Sequence, residues 1–152
     1  MKIAIGADHG AYQHKEVLKK WLEENNYEVI DFGAFSEQSS DYPDFAYPTA
    51  KAVAKNEADL GIVMCGTGIG ASIVANKVNG IRCALIQDPK IAKITREHNN
   101  SNVLAMGARV IDQETMLEVA KAWLETAFSG EERHCVRIDK IKEIEKEVCD
   151  ER

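Results

Sequence analysis

The chain has 152 residues, of which 45% are hydrophobic and 29% are charged, a composition typical of one folded domain with an apolar core. We expect residues 1–152 to form that single domain. The formal net charge of −6 argues against a broad basic surface, because binding to nucleic acid or to an anionic membrane needs clustered Lys and Arg. Any anionic ligand must therefore be held by a few local cations.

No apolar run approaches the ~20 residues that span a bilayer, and the run after Met1 is too short for a signal peptide. We therefore expect a cytoplasmic protein. The cysteines, Cys65, Cys83, Cys135 and Cys149, lack the short paired spacings of zinc sites and disulfide frameworks. Because HExxH motifs and carboxylate clusters are also absent, we expect reduced thiols and no metal site.

Short apolar runs alternate with longer segments of helical spacing. The runs predict five strands, at KIAIGA (2–7), YEVIDFG (27–33), DLGIVMC (59–65), IRCALIQ (81–87) and NVLAMG (102–107). Near-continuous apolar strands are typical of a parallel sheet that is buried on both faces. Helices are predicted between them, over 12–26, 45–56, 70–78 and 89–100, and after them, over 112–130 and 133–148.

The repeated βαβ order predicts an α/β fold, a three-layer αβα sandwich around a five-stranded parallel, Rossmann-like sheet with an extra C-terminal helix. Pro89 suits a first helical turn, and Asp112 suits an N-cap. Only residues 34–44 read as a longer loop. The last helix has a narrow apolar stripe among many charges, which suits packing across a partner chain.

The segment VMCGTGIGAS (63–72) allows three interpretations, because a cysteine ends an apolar strand and glycines follow at once. GTGIGA formally fits a dinucleotide fingerprint, but that motif normally follows the first strand and here it follows the third. Alternatively Cys65 is a base, because backbone N–H groups and the dipole of the next helix favour its thiolate and would also bind an enediolate oxygen. The third interpretation is a buried structural cysteine beside a tight turn.

Histidines lie at two other predicted element ends. Asp8 and His9 follow the first strand, at the edge where parallel sheets bind ligands. His98 and Asn99 lie where the fourth predicted helix ends. An imidazole at either place could exchange protons near neutral pH. A surface histidine and a helix-capping asparagine are the open alternatives.

Three arginines are candidates for a phosphate site. Arg133 and Arg137 are four residues apart and share one face of a helix, and Arg109 follows the fifth strand. Their forked guanidinium groups match phosphate oxygens. A solvated charged face is the alternative for the pair on the last helix.

Five segments together cover most of the chain: IGADHGAYQHK, DYPDFA, CGTGIGASIVANKVNGIRCAL, REHNNSNVLAMGARV and RHCVRI. In these segments the chain strongly resembles the type B ribose-5-phosphate isomerases, a family that also contains allose-6-phosphate and galactose-6-phosphate isomerases. The resemblance implies a parallel five-stranded sheet in an αβα sandwich and a homodimer or tetramer with active sites at the dimer interface. It also implies a phosphorylated sugar as substrate, with neither a metal nor an organic cofactor.

The resemblance gives a role to each matching residue. It implies that Cys65 moves a proton between C1 and C2, that His98 promotes opening of the furanose ring, and that Thr67 places a hydroxyl beside the reacting carbons. The loop implied to hold the enediolate oxygens is Gly66, Thr67, Gly68, Ile69 and Gly70. Further implied contacts with the sugar and its phosphate are Asp8, His9, Tyr42, Asn99, Arg109, Arg133 and Arg137.

We therefore expect an aldose–ketose isomerase that interconverts D-ribose 5-phosphate and D-ribulose 5-phosphate in the pentose phosphate pathway. One alternative is an isomerase for allose 6-phosphate or, as a subunit of a mixed assembly, for galactose 6-phosphate. The presence of both Cys65 and His98 favours a self-sufficient isomerase over such a subunit. An alternative of another class is a non-catalytic module that binds a nucleotide or a phosphosugar.

Overall fold

A computed structural model, which describes residues 1–152, contains the five expected strands in one parallel sheet. The strands are β1 (Lys2–Ala7), β2 (Glu28–Asp31), β3 (Leu60–Cys65), β4 (Cys83–Leu85) and β5 (Val103–Gly107), and their order across the sheet is β2-β1-β3-β5-β4. The helices are α1 (Tyr12–Glu24), α2 (Pro43–Ala54), α3 (Ile69–Asn76), α4 (Pro89–Asn99), α5 (Gln113–Leu124) and α6 (Glu132–Asp150). The predicted α/β class is confirmed.

Two apolar clusters pack on opposite faces of the sheet. Because side chains alternate along a strand, Ile62 and Met64 of β3 pack with α1 and α5, whereas Val63 and Cys65 pack with α2 and α3. Helix α4 joins the first face through Ala92. The arrangement is the predicted three-layer sandwich, and it places the Cys65 side chain on the side covered by α2 and α3.

The edge strands differ from the prediction. Strands β3 and β5 are buried throughout, as is β1 after its first residue, but β2 and β4 are only partly buried. The expectation that every strand is buried on both faces is therefore wrong for these two. They form the two ends of the sheet, where a strand has one neighbour and is less fully covered by helices.

Helix α5 is shorter than its sequence pattern predicts. Asp112 caps its start as expected, with its carboxylate accepting from the N–H of Thr115 at 2.8 Å. The helix ends at Leu124, so the prediction that it continues to Gly130 is wrong. The chain beyond it is bound to α4 instead, because Arg96 Nε donates to the carbonyl of Thr126 at 3.2 Å. No helix in the structure has the length and apolarity to cross a membrane.

Candidate active site

Three chain segments meet where β1, β3 and β5 end. The N–H of Asp8 donates to the carbonyl of Met64 at 3.3 Å, and the N–H of Ala108 donates to the carbonyl of Cys65 at 3.0 Å. The N–H of Arg109 donates to the carbonyl of Gly66 at 2.9 Å. These backbone contacts bring the loops after the three strands together at the carboxyl edge of the sheet. The location agrees with the edge expected for ligands of a parallel sheet.

Cys65 is the last residue of β3, and its thiol faces the N-terminus of α3. The residue is only 4% exposed, and its Sγ accepts from the N–H of Gly68 at 3.2 Å. Gly68 has a φ of +79° and caps α3, and a side chain at this position would lie 2.9 Å from the carbonyl oxygen of Met106. A glycine is required here because both the backbone conformation and the close packing exclude a side chain.

The loop after Cys65 presents several free donors. The N–H groups of Gly66, Thr67 and Gly70 have no acceptor within the chain. Thr67 is exposed, and its Oγ1 accepts from the N–H of Ile69 at 3.2 Å. A thiol and unpaired N–H groups at a helix N-terminus form an arrangement that stabilises negative charge on a bound oxygen.

Arg109 places a cation beside this loop. Its guanidinium packs against both Gly66 and Gly10. A β-carbon placed on Gly66 would lie 3.0 Å from Nη1, and one placed on Gly10 would lie 3.3 Å from Nη2. Asp8 Oδ1 lies 3.3 Å from the same position on Gly10. The guanidinium of Arg109 forms no ion pair within the chain, so it is free to bind an anionic ligand.

The loop between β2 and α2 closes another side of the site. His9 Nδ1 lies 3.1 Å from both the N–H nitrogen and the carbonyl oxygen of Ser40, and the N–H of His9 donates to Ser40 Oγ at 3.1 Å. The ring of Tyr42 lies over Gly70, because a β-carbon on that glycine would be 2.5 Å from Cζ. Ser40 is a site residue that the sequence analysis missed, since nothing in its neighbourhood marks it as a partner of His9.

The remaining predicted residues lie at the opposite edge of the sheet. Arg82, which directly precedes β4, donates from Nε to the carbonyl of Asn99 at 3.1 Å, so the end of α4 sits at the amino edge. Helix α4 has 11 residues, which at about 1.5 Å per residue separates its two ends by about 16 Å. His98 therefore does not approach Cys65 within one chain.

Helix α6 adds its arginines to this second group. Arg133 and Arg137 line one shallow surface cavity of about 450 Å³ near the start of α6. Arg133 Nε donates to Glu131 at 2.9 Å, whereas Arg137 has no ion-pair partner within the chain. The structure thus divides the predicted residues into a carboxyl-edge group and an amino-edge group, the latter comprising His98, Asn99, Arg133 and Arg137.

A second histidine, which the sequence analysis did not single out, belongs to the amino-edge group. The ring of His134 stacks on that of His98, with centroids 4.3 Å apart and planes at 29°. His134 is buried, and this burial lowers its pKa, with smaller contributions in the same direction from His98 and the neighbouring arginines. Its place between Arg133 and Arg137 in RHCVRI was the available signal.

All four cysteines are free thiols. Burial raises the pKa of Cys83 to about 12, and its place at the start of β4 puts it at the amino edge, away from the glycine loop. Cys65 is thus the one cysteine that faces the cluster of free N–H groups.

Comparisons with known proteins agree with the fold. A sequence profile described as Ribose/Galactose Isomerase matches residues 3–141. The chain is 44% identical over 144 residues to ribose-5-phosphate isomerase B of Escherichia coli (strain K12), covering 95% of this chain and 96% of that protein. It is also 43% identical over 131 residues to D-erythrulose-4-phosphate isomerase of Pectobacterium atrosepticum, covering 86% of each. The structure of Clostridium thermocellum ribose-5-phosphate isomerase B superposes with a TM-score of 0.95 at 49% identity, covering 97% of this chain and 99% of that one.

Proposed function

Because this chain belongs to the ribose/galactose isomerase family, we propose that it interconverts D-ribose 5-phosphate and D-ribulose 5-phosphate. The observation that carries the proposal is the Cys65 thiol, held by the N–H of Gly68 beside three N–H groups that have no acceptor in the chain. An aldose–ketose isomerase needs a base and a site for a developing oxyanion, and this loop offers both. A non-catalytic module, the alternative of another class, is not retained.

The chemistry follows from these groups. The thiolate of Cys65 removes the proton from C2 of the open-chain aldose, the C–H electron pair forms the C1–C2 double bond, and the carbonyl electrons move to O1. The N–H groups of the loop stabilise the resulting cis-enediolate. Cys65 then returns the proton to C1 from the same face, which regenerates the thiolate. The O2 proton moves to O1, so O2 becomes the ketose carbonyl and O1 becomes the C1 hydroxyl. The substrate supplies every atom and electron, so the proposed reaction needs no cofactor.

The remaining groups are proposed to bind the substrate away from the reacting carbons. Asp8, His9 and Tyr42 surround the glycine loop and suit the sugar hydroxyls, and Arg109 suits an anionic oxygen. Arg133 and Arg137, which share a surface cavity, suit the phosphate. His98 is proposed to open the furanose ring by proton transfer, and Asn99 to bind a hydroxyl.

We propose that each site is completed by a second chain, in a homodimer or a tetramer built from such dimers. The support is the division of the site residues between two edges of the sheet, since Cys65 ends β3 at the carboxyl edge and His98 lies at the end of α4, at the amino edge. A partner chain would bring its amino-edge group to the carboxyl edge of this one. Symmetric pairing of identical surfaces would complete two sites at once.

Mixed assemblies test this arrangement directly. We expect Cys65→Ala and His98→Asn each to be inactive alone on ribose 5-phosphate. Co-expressed, half of the dimers combine one chain of each kind, and one of their two sites then has both residues intact, so activity should return to about a quarter of the wild-type level. Cys83→Ala, which removes a partly buried thiol at the other edge, is the matched control and should stay active. A co-expressed mixture without activity would show that the two residues do not share a site across chains.

The substrate requires its own measurement, since the two relatives described above are named for five-carbon and four-carbon sugars. Steady-state kinetics on ribose 5-phosphate, allose 6-phosphate, galactose 6-phosphate and erythrulose 4-phosphate compare the candidates directly through kcat/KM. We expect the highest value for ribose 5-phosphate. A higher value for another sugar would replace the proposed substrate while keeping the isomerase chemistry.

A further inference from the structure

His134 is a buried histidine for which the isomerase chemistry gives no role. It is 2% exposed, although it lies in the first turns of a helix in which most neighbouring residues are exposed. Its ring lies against His98, the residue proposed to open the sugar ring. Burying an imidazole costs desolvation free energy that hydrogen bonds must offset, so its place against His98 calls for a physical reason.

The hydrogen bonds around His134 fix its ring. Nδ1 lies 2.8 Å from Ser129 Oγ, which also accepts from the N–H of Glu131 at 3.2 Å. The N–H of Ser129 donates in turn to the carbonyl of Glu97, on α4 directly before His98. Ser129 thus links Glu97 of α4 to His134 of α6 by hydrogen bonds, and the His134 ring in turn stacks on His98 of α4.

His98 itself lacks any comparable support. It lies in the last turn of α4, is only partly buried, and neither of its ring nitrogens has a hydrogen-bond partner within the chain. The stacked ring of His134 is therefore a contact that limits rotation of the His98 ring. Stacking also leaves both His98 nitrogens free, which a hydrogen-bonded support would not.

We propose that His134 is a positioning residue, whose Ser129-anchored ring holds the His98 imidazole in the orientation needed for proton transfer to the furanose ring. The inference rests on the proposed ring-opening role of His98. Burial favours the neutral form of His134, so the supporting ring adds no positive charge beside His98. The expected consequence is specific: loss of the stack should impair ring opening and spare the later proton transfer at Cys65.

Two substrates separate these steps. D-ribose 5-phosphate is mainly a closed furanose, whereas its 4-deoxy analogue lacks the hydroxyl that closes the ring and is always open. We expect His134→Asn, which keeps a polar atom near Ser129 but removes the ring, to lower kcat on ribose 5-phosphate about 10- to 100-fold through misplacement of His98, with little change in KM. Turnover of the 4-deoxy analogue should stay within about threefold of wild type, because that substrate bypasses the positioned step.

Three further variants make the test specific. His134→Phe keeps a stacking ring but loses the bond to Ser129, so on ribose 5-phosphate it should lose no more turnover than Ser129→Ala and far less than His134→Asn. Ser129→Ala removes the hydrogen-bond partner of the His134 ring, so it should lower kcat on ribose 5-phosphate less than His134→Asn does. This variant also tests the proposal if His134→Asn does not fold. Ile138→Val, which deletes a buried methyl group one turn further along α6, should behave like wild type on both substrates.

The outcomes distinguish this inference from the proposed function. If His98→Asn loses equally on both substrates, ring opening by His98 is wrong and the inference falls with it. If His98→Asn spares the 4-deoxy analogue but His134→Asn does not, or if His134→Phe is as impaired as His134→Asn, the positioning role alone is overturned.

Discussion

Replacing Gly68 with alanine tests whether the loop geometry around Cys65 drives catalysis. The new β-carbon would lie 2.6 Å from Leu85 Cδ1, and 2.8 Å and 2.9 Å from the backbone carbon and oxygen of Met106. The leucine can rotate away, but the backbone of a central strand cannot. The residue also has a φ of +79°, which an alanine adopts only with strain. The substitution should therefore shift the Gly68 N–H away from the Cys65 thiol.

The expected loss of unfolding free energy has two parts, backbone strain and steric overlap, and a control variant separates them. Left-handed backbone strain costs about 1–2 kcal/mol, and forcing a methyl group into packed space costs about 1–3 kcal/mol, so Gly68→Ala should lose about 2–5 kcal/mol of unfolding free energy. Gly80 has a similar φ of +87° but nothing within 4 Å of its would-be β-carbon. Gly80→Ala should therefore lose only the strain, about 1–2 kcal/mol.

Urea unfolding of both variants gives the two free energies, and steady-state kinetics on ribose 5-phosphate gives their effect on turnover. Moving the Gly68 N–H away from Cys65 removes a donor that favours the thiolate and shifts the loop that carries the free N–H groups. Loss of one preorganised donor of this kind lowers kcat by about a hundredfold or more, and we expect that loss for Gly68→Ala and none for Gly80→Ala. Equal destabilisation of the two variants would refute the packing argument. Near-normal kcat in a folded Gly68→Ala protein would refute the role of this N–H.

Three other predictions concern groups away from the reacting carbons. Lys15 is fully buried, and its Nζ lies 2.7 Å from Asp31 Oδ2. Lys15→Met leaves that carboxylate without its buried partner and should lower the free energy of unfolding in urea by about 3–5 kcal/mol. The loss should be toward the low end, because Lys19 also lies near Asp31. Burial lowers the pKa of His134 in the folded chain below its ordinary value of 6.5, so near and below pH 6.5 the unfolded chain binds more protons than the folded one. The urea midpoint of unfolding should therefore fall as the pH drops from 7.5 to 5.5, and His134→Asn should make that fall smaller. Because burial raises the pKa of Cys83 to about 12, iodoacetamide at pH 8 should modify exposed Cys149 and leave Cys83 intact, as peptide mapping by mass spectrometry can show. Rapid labelling of Cys83 in the folded protein, a pH slope unchanged by His134→Asn, or a Lys15→Met protein as stable as wild type would each contradict the corresponding argument.

Features that depend on local sequence were predictable, and features that depend on distant contacts were not. Cys65 ends an apolar run directly before glycines, so its place at a strand end follows from neighbouring residues alone. The stacking of His134 on His98 joins residues 36 positions apart, and the hydrogen bonds between Ser40 and His9 join residues 31 positions apart. Such pairs are set by how helices and loops pack on the sheet, and a single sequence carries no periodic signal for them. The shortened α5 has the same cause, because hydrogen bonds to α4 hold the six residues, 125–130, that were predicted to continue it.

The division of the site also follows from topology, although residue patterns alone did not reveal it. In a βαβ unit the helix returns the chain from the carboxyl edge to the amino edge of the sheet, so a residue at the end of α4 must lie opposite one at the end of β3. Cys65 and His98 are therefore kept apart by the fold itself, and no side-chain rearrangement within one chain joins them. On the proposed assembly, a two-fold axis between chains resolves this separation, because it brings each carboxyl edge to the partner's amino edge. The Cys65 loop, with its free N–H groups already in place, is formed within a single chain. In the proposed assembly, ring opening and phosphate binding depend on the second chain. An isolated chain is therefore expected to fold with a complete proton-transfer loop and to turn over little of the ring-closed sugar.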